Sequence, residues 1–461
     1  MNYNSFFFLW IFPIVFATYW FTMRVAPTNI KIRTGNICLL VLSYLILAHE
    51  NILSCIWLAY VTAVSFFGAK QISSRRLPLF SVIALAILPL TFTKYYGFVC
   101  LMLQDIGFSC KSHSFVVPIG ISFFTLQAIG YITDVSRKTI EPERSLLNHS
   151  LFLSFFPQIV SGPISRYSQL MPQIRGQRTF NEAQATEGLR MLLWGMFLKV
   201  VIADRLALTV NDMVDHLEAS DGSALLSMAF QYSAQIYSDF AGYSLMAIGA
   251  AKVMGFDLPD NFRRPYLSTS ITDFWHRWHI SLSLWLRDYV YISLGGNRCS
   301  KWRNYINTVV TFVVSGLWHG ANYTFIVWGV LHGVIICIEK RLGLNKYNIK
   351  GGFVKAFRIG VTFCIVSMLW VIFRMSTLSD AYEVFIKIFT CSEFHLILPE
   401  KYVLALIMIA IAKDVVDEYR PQYCLFNNKR RLVRWSAYVF IATMIILVGV
   451  FDTGQFIYAK F

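Results

Sequence analysis

The chain has 461 residues, 56% of them hydrophobic and 15% charged, with a mean hydropathy of +0.53. A soluble protein carries about a quarter charged residues, so this composition excludes an ordinary soluble enzyme and indicates a polytopic membrane protein. The net charge of +15 does not imply a nucleic-acid partner, because the basic residues cluster between apolar blocks as cytoplasmic loops do.

Five spans are predicted first, at about 5–23, 35–50, 52–70, 77–103 and 114–133. The opening MNYNSFFFLWIFPIVFATYWF has no basic leader and reads as a span, not a cleaved signal. Arg24, Lys31 and Arg33 follow the first span, Lys70, Arg75 and Arg76 the third, and Arg137, Lys138 and Arg144 the fifth. The intervening loops carry His49 with Glu50, and Asp105 with Lys111 and His113. Basic loops at every second turn place the N-terminus outside and the first loop in the cytoplasm. The nine cysteines include no CxxC pair, and Cys38, Cys55, Cys337 and Cys364 fall in apolar runs. Most are expected to be reduced packing residues. No metal site is expected, because the histidines lack clustered Cys or carboxylate companions at ligand spacing.

Leu151 to Val160 is apolar but too short to cross about 30 Å of hydrocarbon. It runs into PQIVSGPISRY, where Pro157, Gly162 and Pro163 break a helix. Two readings stand at this point: a half-span lining an interior, or a surface loop. Apolar segments at about 186–208 and 224–255 follow. Asp239, inside the second, is either functional or part of an interhelical hydrogen bond. Ala241, Gly242, Gly249, Ala250 and Ala251 would let helices approach closely.

The run FWHRWHISLSLWLRDYVYISLGGNR, Phe274 to Arg298, is the most informative in the chain. Read as one helix, it sets His276, His279, Ser283 and Arg287 on a single polar stripe, with Phe274, Trp278, Trp285 and Tyr289 opposite. An interfacial anchor would explain the Trp and Arg but not two histidines. LGGNRCSKWRNY is a basic turn expected in the cytoplasm. The next apolar run, about 306–338, holds His319 between Gly316 and Gly320. On an ideal helix His332, thirteen residues on, lies roughly 220° away and shares no face with it. Further spans are predicted at about 356–375, 402–413 and 434–451. Lys413, Asp414, Asp417, Glu418 and Arg420 are assigned to a loop, and the tail FDTGQFIYAKF to the membrane interface. No internal repeat of the secondary-transporter kind is apparent.

His49, His113, His149, His216 and His395 fall in predicted loops and are expected to be solvated. His276 is expected near a surface and His332 packed or interfacial, which leaves His279 and His319 as candidates for chemistry. A neutral imidazole can take the proton of a hydroxyl as it attacks an activated acyl carbonyl. A second imidazole, or a backbone N–H beside Gly316 or Gly320, could hold the acyl oxygen or orient the nucleophile. GxSxG, P-loop and Rossmann fingerprints are all missing.

The Phe274–Arg298 run followed by GLWHGANYTFIVWGVLHG resembles the membrane-bound O-acyltransferases, and most of all their bacterial polysaccharide branch, the alginate O-acetylases. PQIVSGPISRY and YSDFAGYSLMAIGAAKVMGFDLPDNFRRPY look like further blocks of that branch, so the likeness covers about residues 150 to 335. It implies an all-α polytopic membrane protein: a ring of about eleven transmembrane helices, with re-entrant or interfacial helices, around a thin catalytic funnel. The whole chain would be one domain, with N-terminal helices over 1–149, a catalytic core over 150–335 and C-terminal helices over 336–461. His319 would be the essential histidine and His279 the second position. His276, Ser283, Arg287, Asp239, Trp318 and Asn322 are taken as supporting or substrate-binding positions.

The implied donor is acetyl-CoA or an acyl-carrier thioester on the cytoplasmic side, with no bound cofactor. The implied acceptor is a secreted glycan such as an alginate-like exopolysaccharide, cellulose or peptidoglycan, or else an extracytoplasmic acetyltransferase or esterase-like partner. The implied location is the bacterial inner membrane, among lipids. The D-alanyl transfer proteins of teichoic acid synthesis share the two histidine blocks, but LGGNR is the acetylase pattern. His276 stands where alginate acetylases more often carry Arg, which argues against alginate itself. From another class, a transporter or flippase could use His319 and Asp239 as a proton relay.

Overall fold

The structure is a computed structural model that describes residues 6–111, 113, 115–160, 162–344, 352–392, 395, 397–423, 425–426 and 428–451. The predicted interfacial tail lies outside the described residues from position 452 onward. Every regular element among the described residues is a helix. Among the described residues six helices are long and apolar enough to cross a membrane by length and composition, and the protein is a multi-pass membrane protein. The chain divides into two compact units, Met1–Leu192 with Ala247–Pro259, and Leu193–Met246 with Asp260–Phe461.

In the first unit the predicted spans form α1 (Phe6–Val25), α2 (Lys31–Glu50) and α3 (Ile52–Ser73). The fourth is α4 (Leu79–Leu90), which continues through a π-helical turn at Thr91–Tyr95 into α5 (Tyr96–Asp105). The π turn follows Pro89, which cannot donate to the helical ladder. Asn51 separates α2 from α3, its side chain capping the Leu53 N–H at 2.8 Å. Cys100, on α5, and Cys110, in the loop that follows, are joined as a disulfide. Cys38, Cys55, Cys299, Cys337, Cys364 and Cys391 are outside this disulfide.

The fifth predicted span is the shorter α6 (Ile121–Ser136), buried along almost its whole length. It packs against α3 and α4. Next come α7 (Leu146–Ser154) and α8 (Phe156–Ile159), where Leu151, Phe152, Leu153, Phe155 and Phe156 are all buried. This burial selects the interior half-span and rules out the surface loop. It also overturns the expectation for His149, which is fully buried on α7. Its Nε2 lies 2.8 Å from Ser65 Oγ, and its ring packs on Tyr131. His49, His113, His216 and His395 are exposed as expected. The unit ends with α9 (Tyr167–Arg175) and the first part of α10 (Glu182–Met196).

The second unit continues α10 through a fully buried π-helical turn, Phe197–Ala203, into α11 (Asp204–Asp215). Then come α12 (Gly222–Val253), α13 (Ile271–Arg277), α14 (Ile280–Leu286), α15 (Lys301–His319), α16 (Tyr323–Leu342) and α17 (Gly352–Arg374). The last are α18 (Leu378–Thr390), α19 (Lys401–Tyr419) and α20 (Arg431–Val448). Three sequence expectations change here. The run 306–338 is not one helix but a hairpin of α15 and α16, because Gly320–Asn322 leave the helical path. The amphipathic α18 was not anticipated. The charged group at 413–418 is not a loop but the last turns of α19. There Glu418 binds Arg264 at 3.1 Å and Arg277 at 2.8 Å, and Asp414 accepts a 2.8 Å bond from Tyr237.

The connection before α7, outside the spans, supplies a measurable stability term. Glu143 is buried and accepts from Ser145 N–H at 2.8 Å, from Tyr167 Oη at 2.7 Å and from Arg175. Burial alone would raise its carboxyl pKa, but these donors and the guanidinium charge hold it below the ordinary value. A carboxyl depressed in the folded state stabilises the fold above its unfolded pKa, and that contribution is lost as pH falls through the folded pKa. Glu143→Gln should therefore lower the thermal midpoint at neutral pH and shrink its decline in acid. Midpoints of the two proteins across that pH range test this, and parallel curves would contradict it.

Candidate active site

The first half of the site is a broken helix. The predicted continuous stripe does not form, because α13 stops at Arg277 and α14 starts at Ile280. Between them His279 takes φ 44° and ψ 53°, a left-handed backbone that costs a non-glycine residue about 1–3 kcal/mol. An antiparallel stretch of chain holds it there. Arg263 N–H donates to Arg277 O at 2.9 Å, and Ile280 N–H donates to Asn261 O at 3.0 Å. Glu339 on α16 fixes the other end of α13, accepting from the backbone N–H of Ile271 at 2.6 Å and of Thr272 at 2.9 Å. The turn carries the His279 ring inward, where it is fully buried. Its Nδ1 lies 3.0 Å from Asn261 Oδ1, and the Phe240 ring meets it edge-on at 4.6 Å.

The second half is the α15–α16 hairpin. The two backbones approach so closely that a Cβ on Gly316 would sit 2.1 Å from the Phe325 carbonyl oxygen, and one on Gly320 would sit 2.0 Å from the Phe325 ring. These glycines serve packing. The Gly320 N–H is used within the chain, donating to Gly316 O at 3.3 Å, so it is not the suggested donor to an acyl oxygen. His319, the last residue of α15, is 2% exposed. Its ring contacts Trp318 at 4.9 Å, Trp328 at 5.3 Å and Phe373 at 5.3 Å.

Trp318 also contacts His279, at 5.7 Å, so one indole touches both candidate imidazoles. Behind them Trp278 packs on Trp370 at 5.0 Å, and Trp370 stacks on Trp328 at 5.7 Å. Of the aromatic back predicted for the Phe274 run, Phe274 and Trp278 belong to this wall, while Trp285 and Tyr289 pack on each other. His332 was expected at a span end, on a different face from His319. It is fully buried, the packed alternative, and its ring meets Trp328, one turn earlier on α16, at 4.8 Å; the hairpin brings His319 to the same indole. Its Nδ1 accepts from Trp275 Nε1 at 3.2 Å. Helical geometry on a single rod could not have found this contact.

The remaining predicted residues separate into groups. His276 and Arg287 are exposed and Ser283 half-buried. All three line a cavity of about 350 Å³ with Lys340, Tyr291 and Ser315. Its walls include Trp275, Leu284, Leu286 and Phe312, and Ser315 stands one helical turn before His319. Asp239 joins neither the cavity nor the ring contacts described for the histidines. Lys199, from the π-helical turn, bonds Asp239 at 2.7 Å and Asp204 at 2.7 Å, with all three side chains buried. That pairing fits the packing role read from the sequence. Asn322 caps α16 through a 3.1 Å bond from Thr324 N–H, and its amide donates to Ser376 O at 2.7 Å. Sequence reasoning missed Lys199, His332, Ser315 and Asn261. The NFRRPY block leading into the run was the available signal for Asn261.

Comparison with known proteins gives a consistent result. Residues 133–378 match the membrane-bound O-acyltransferase family. The chain is 36% identical to the probable alginate O-acetylase of Pseudomonas aeruginosa, over 85% of this chain and 75% of that one. It is 33% identical to the peptidoglycan O-acetyltransferase of Helicobacter pylori, over 70% and 67% of the two chains. A teichoic acid D-alanyltransferase of Streptococcus thermophilus is 30% identical over 55% of this chain and 68% of its own.

The buried ion triad yields a test of its own. Lys199→Met leaves two carboxylates facing each other in an apolar core and should cost about 3–5 kcal/mol. Asp239→Asn, which keeps a bond to Lys199, should cost less. Thermal unfolding in detergent orders the two, and a wild-type midpoint for Lys199→Met would refute the assignment.

Proposed function

The chain belongs to the membrane-bound O-acyltransferase family and is an O-acyltransferase, and from that premise we propose that it moves acetyl groups from a cytoplasmic thioester across the inner membrane for O-acetylation of a secreted polysaccharide. The observation that carries the proposal is the pair of buried histidines, from separate segments, in contact with one indole. In this reading His319 removes the proton of the attacking hydroxyl, and the oxygen adds to the thioester carbonyl. The adduct collapses to an ester and a thiolate, which recovers the proton from the imidazolium and leaves as a thiol. His279 orients the donor or the acceptor.

The donor is acetyl-CoA or an acyl-carrier thioester. Support comes from the 350 Å³ cavity, with apolar walls for a pantetheine arm, and Arg287 and Lys340 for phosphate. The acceptor is a glycan hydroxyl or an extracytoplasmic partner enzyme that passes the acetyl group on. Alginate-like exopolysaccharide, cellulose and peptidoglycan are the glycans proposed, in keeping with the relatives' activities.

His319→Ala should lower glycan acetylation by about 10²–10⁴-fold while the protein remains folded and inserted. Ester analysis of the secreted and cell-wall polymers measures this, and wild-type acetylation would sink the role. The polymer that loses its esters identifies the acceptor, and loss of esterified D-alanine in place of acetate would assign the chain to teichoic acid transfer. Arg287→Ala and Lys340→Ala should each raise the donor KM by about 10- to 100-fold with little change in kcat, as expected for a charge-assisted contact worth about 1.5–3 kcal/mol. An unchanged donor KM in steady-state kinetics would remove the cavity from the donor path.

A further inference from the structure

The hydrogen bonds around Asn261 determine which nitrogen of His279 carries the proton. Asn261 Nδ2 donates to Ser244 Oγ at 3.1 Å. Asn261 Oδ1 faces two donors of Ser281, the backbone N–H at 3.2 Å and the hydroxyl at 2.9 Å. A backbone N–H can only donate, so the amide cannot be turned the other way without setting its NH₂ against it. The atom 3.0 Å from His279 Nδ1 is therefore an acceptor, and Nδ1 must be the donor. A neutral imidazole has one ring hydrogen, so the lone pair is on Nε2.

We infer that Asn261 is a positioning residue, which holds His279 as the Nδ1–H tautomer and presents the Nε2 lone pair to the reacting groups. The inference rests on the proposed part of His279 in acyl transfer. The same residue fixes the backbone. Its carbonyl takes the Ile280 N–H, the first bond after the left-handed residue, so ring and main chain are set from one point. Phe240 stands perpendicular to the imidazole at 89° and Trp318 lies on another side, which restricts rotation of the ring. The dependence of ring chemistry on a partner at the opposite nitrogen is general for histidines in catalytic sites.

The test uses the full chain in lipid nanodiscs with ¹⁵N-labelled histidine. His279 is identified by the signal lost in His279→Gln. The wild type should show a pyrrole-type Nδ1 and a pyridine-type Nε2. Asn261→Asp keeps an oxygen acceptor and should preserve both the signature and most of the activity. Asn261→Leu should give the other tautomer or a mixture, and lower kcat by about 10–100-fold with donor KM unchanged. If Asn261→Leu does not fold, Asn261→Ala, which removes the acceptor without adding bulk, should give the same change of tautomer. An Nε2–H form in the wild type, or an unaltered signature in Asn261→Leu or Asn261→Ala, would overturn the inference. Full transfer by His279→Gln would instead defeat the proposed part of His279, while the spectra still report the tautomer.

Discussion

A polar group buried in an apolar helical bundle must find its partner inside the protein, and this constraint shapes both units. Lys199 is held between Asp204 and Asp239, Glu143 among three donors, and Asn36 beside Arg178. Each group is worth little as a stabilising contact compared with the penalty of removing its partner. Such groups therefore fix which helices meet and at what depth, and apolar packing fills the space between them. The candidate site follows the same rule. Asn261 serves His279 and Trp275 serves His332, while aromatic rings pack around His319.

Backbone approach sets the second condition. In the first unit Gly188 meets the Gly249 carbonyl, and in the second Gly195 meets that of Gly242, each closer than a side chain would allow. The α15–α16 hairpin repeats the pattern with Gly316, Gly329 and Gly333. In the hairpin these small residues let α16 bring Trp328 against His319.

Much of this could be read from the chain, and the exceptions share a cause. Hydropathy located α1 to α5, α12, α17 and α20, because lipid-facing residues must be apolar over a fixed length. The half-span before Pro157 was legible as a possibility, and only burial could choose it. Periodicity failed at Trp278–His279. A helix interrupted by one left-handed non-glycine residue keeps its spacing in the sequence while losing it in space, so His276, Ser283 and Arg287 separate from His279. His149 was misjudged because its partner, Ser65, is 84 residues away, and the Trp275 partner of the packed His332 is 57 residues away. The charged end of α19 looked like a loop because its partners Arg264 and Arg277 are equally remote in sequence. His279 and His319 were found from their blocks, and Trp318 ties them together in the fold.

The reach of Glu418 has a consequence for modularity. The family match ends at residue 378, yet Glu418 grips Arg264 and Arg277, one on each strand of the stitched turn that carries His279. The matched segment is thus not a self-sufficient cassette. A chimaera that grafts residues 133–378 onto a relative's C-terminal helices would import a turn whose brace belongs to the discarded part. Exchange between relatives in this branch is constrained to move the two arginines and their carboxylate together, as one inherited unit.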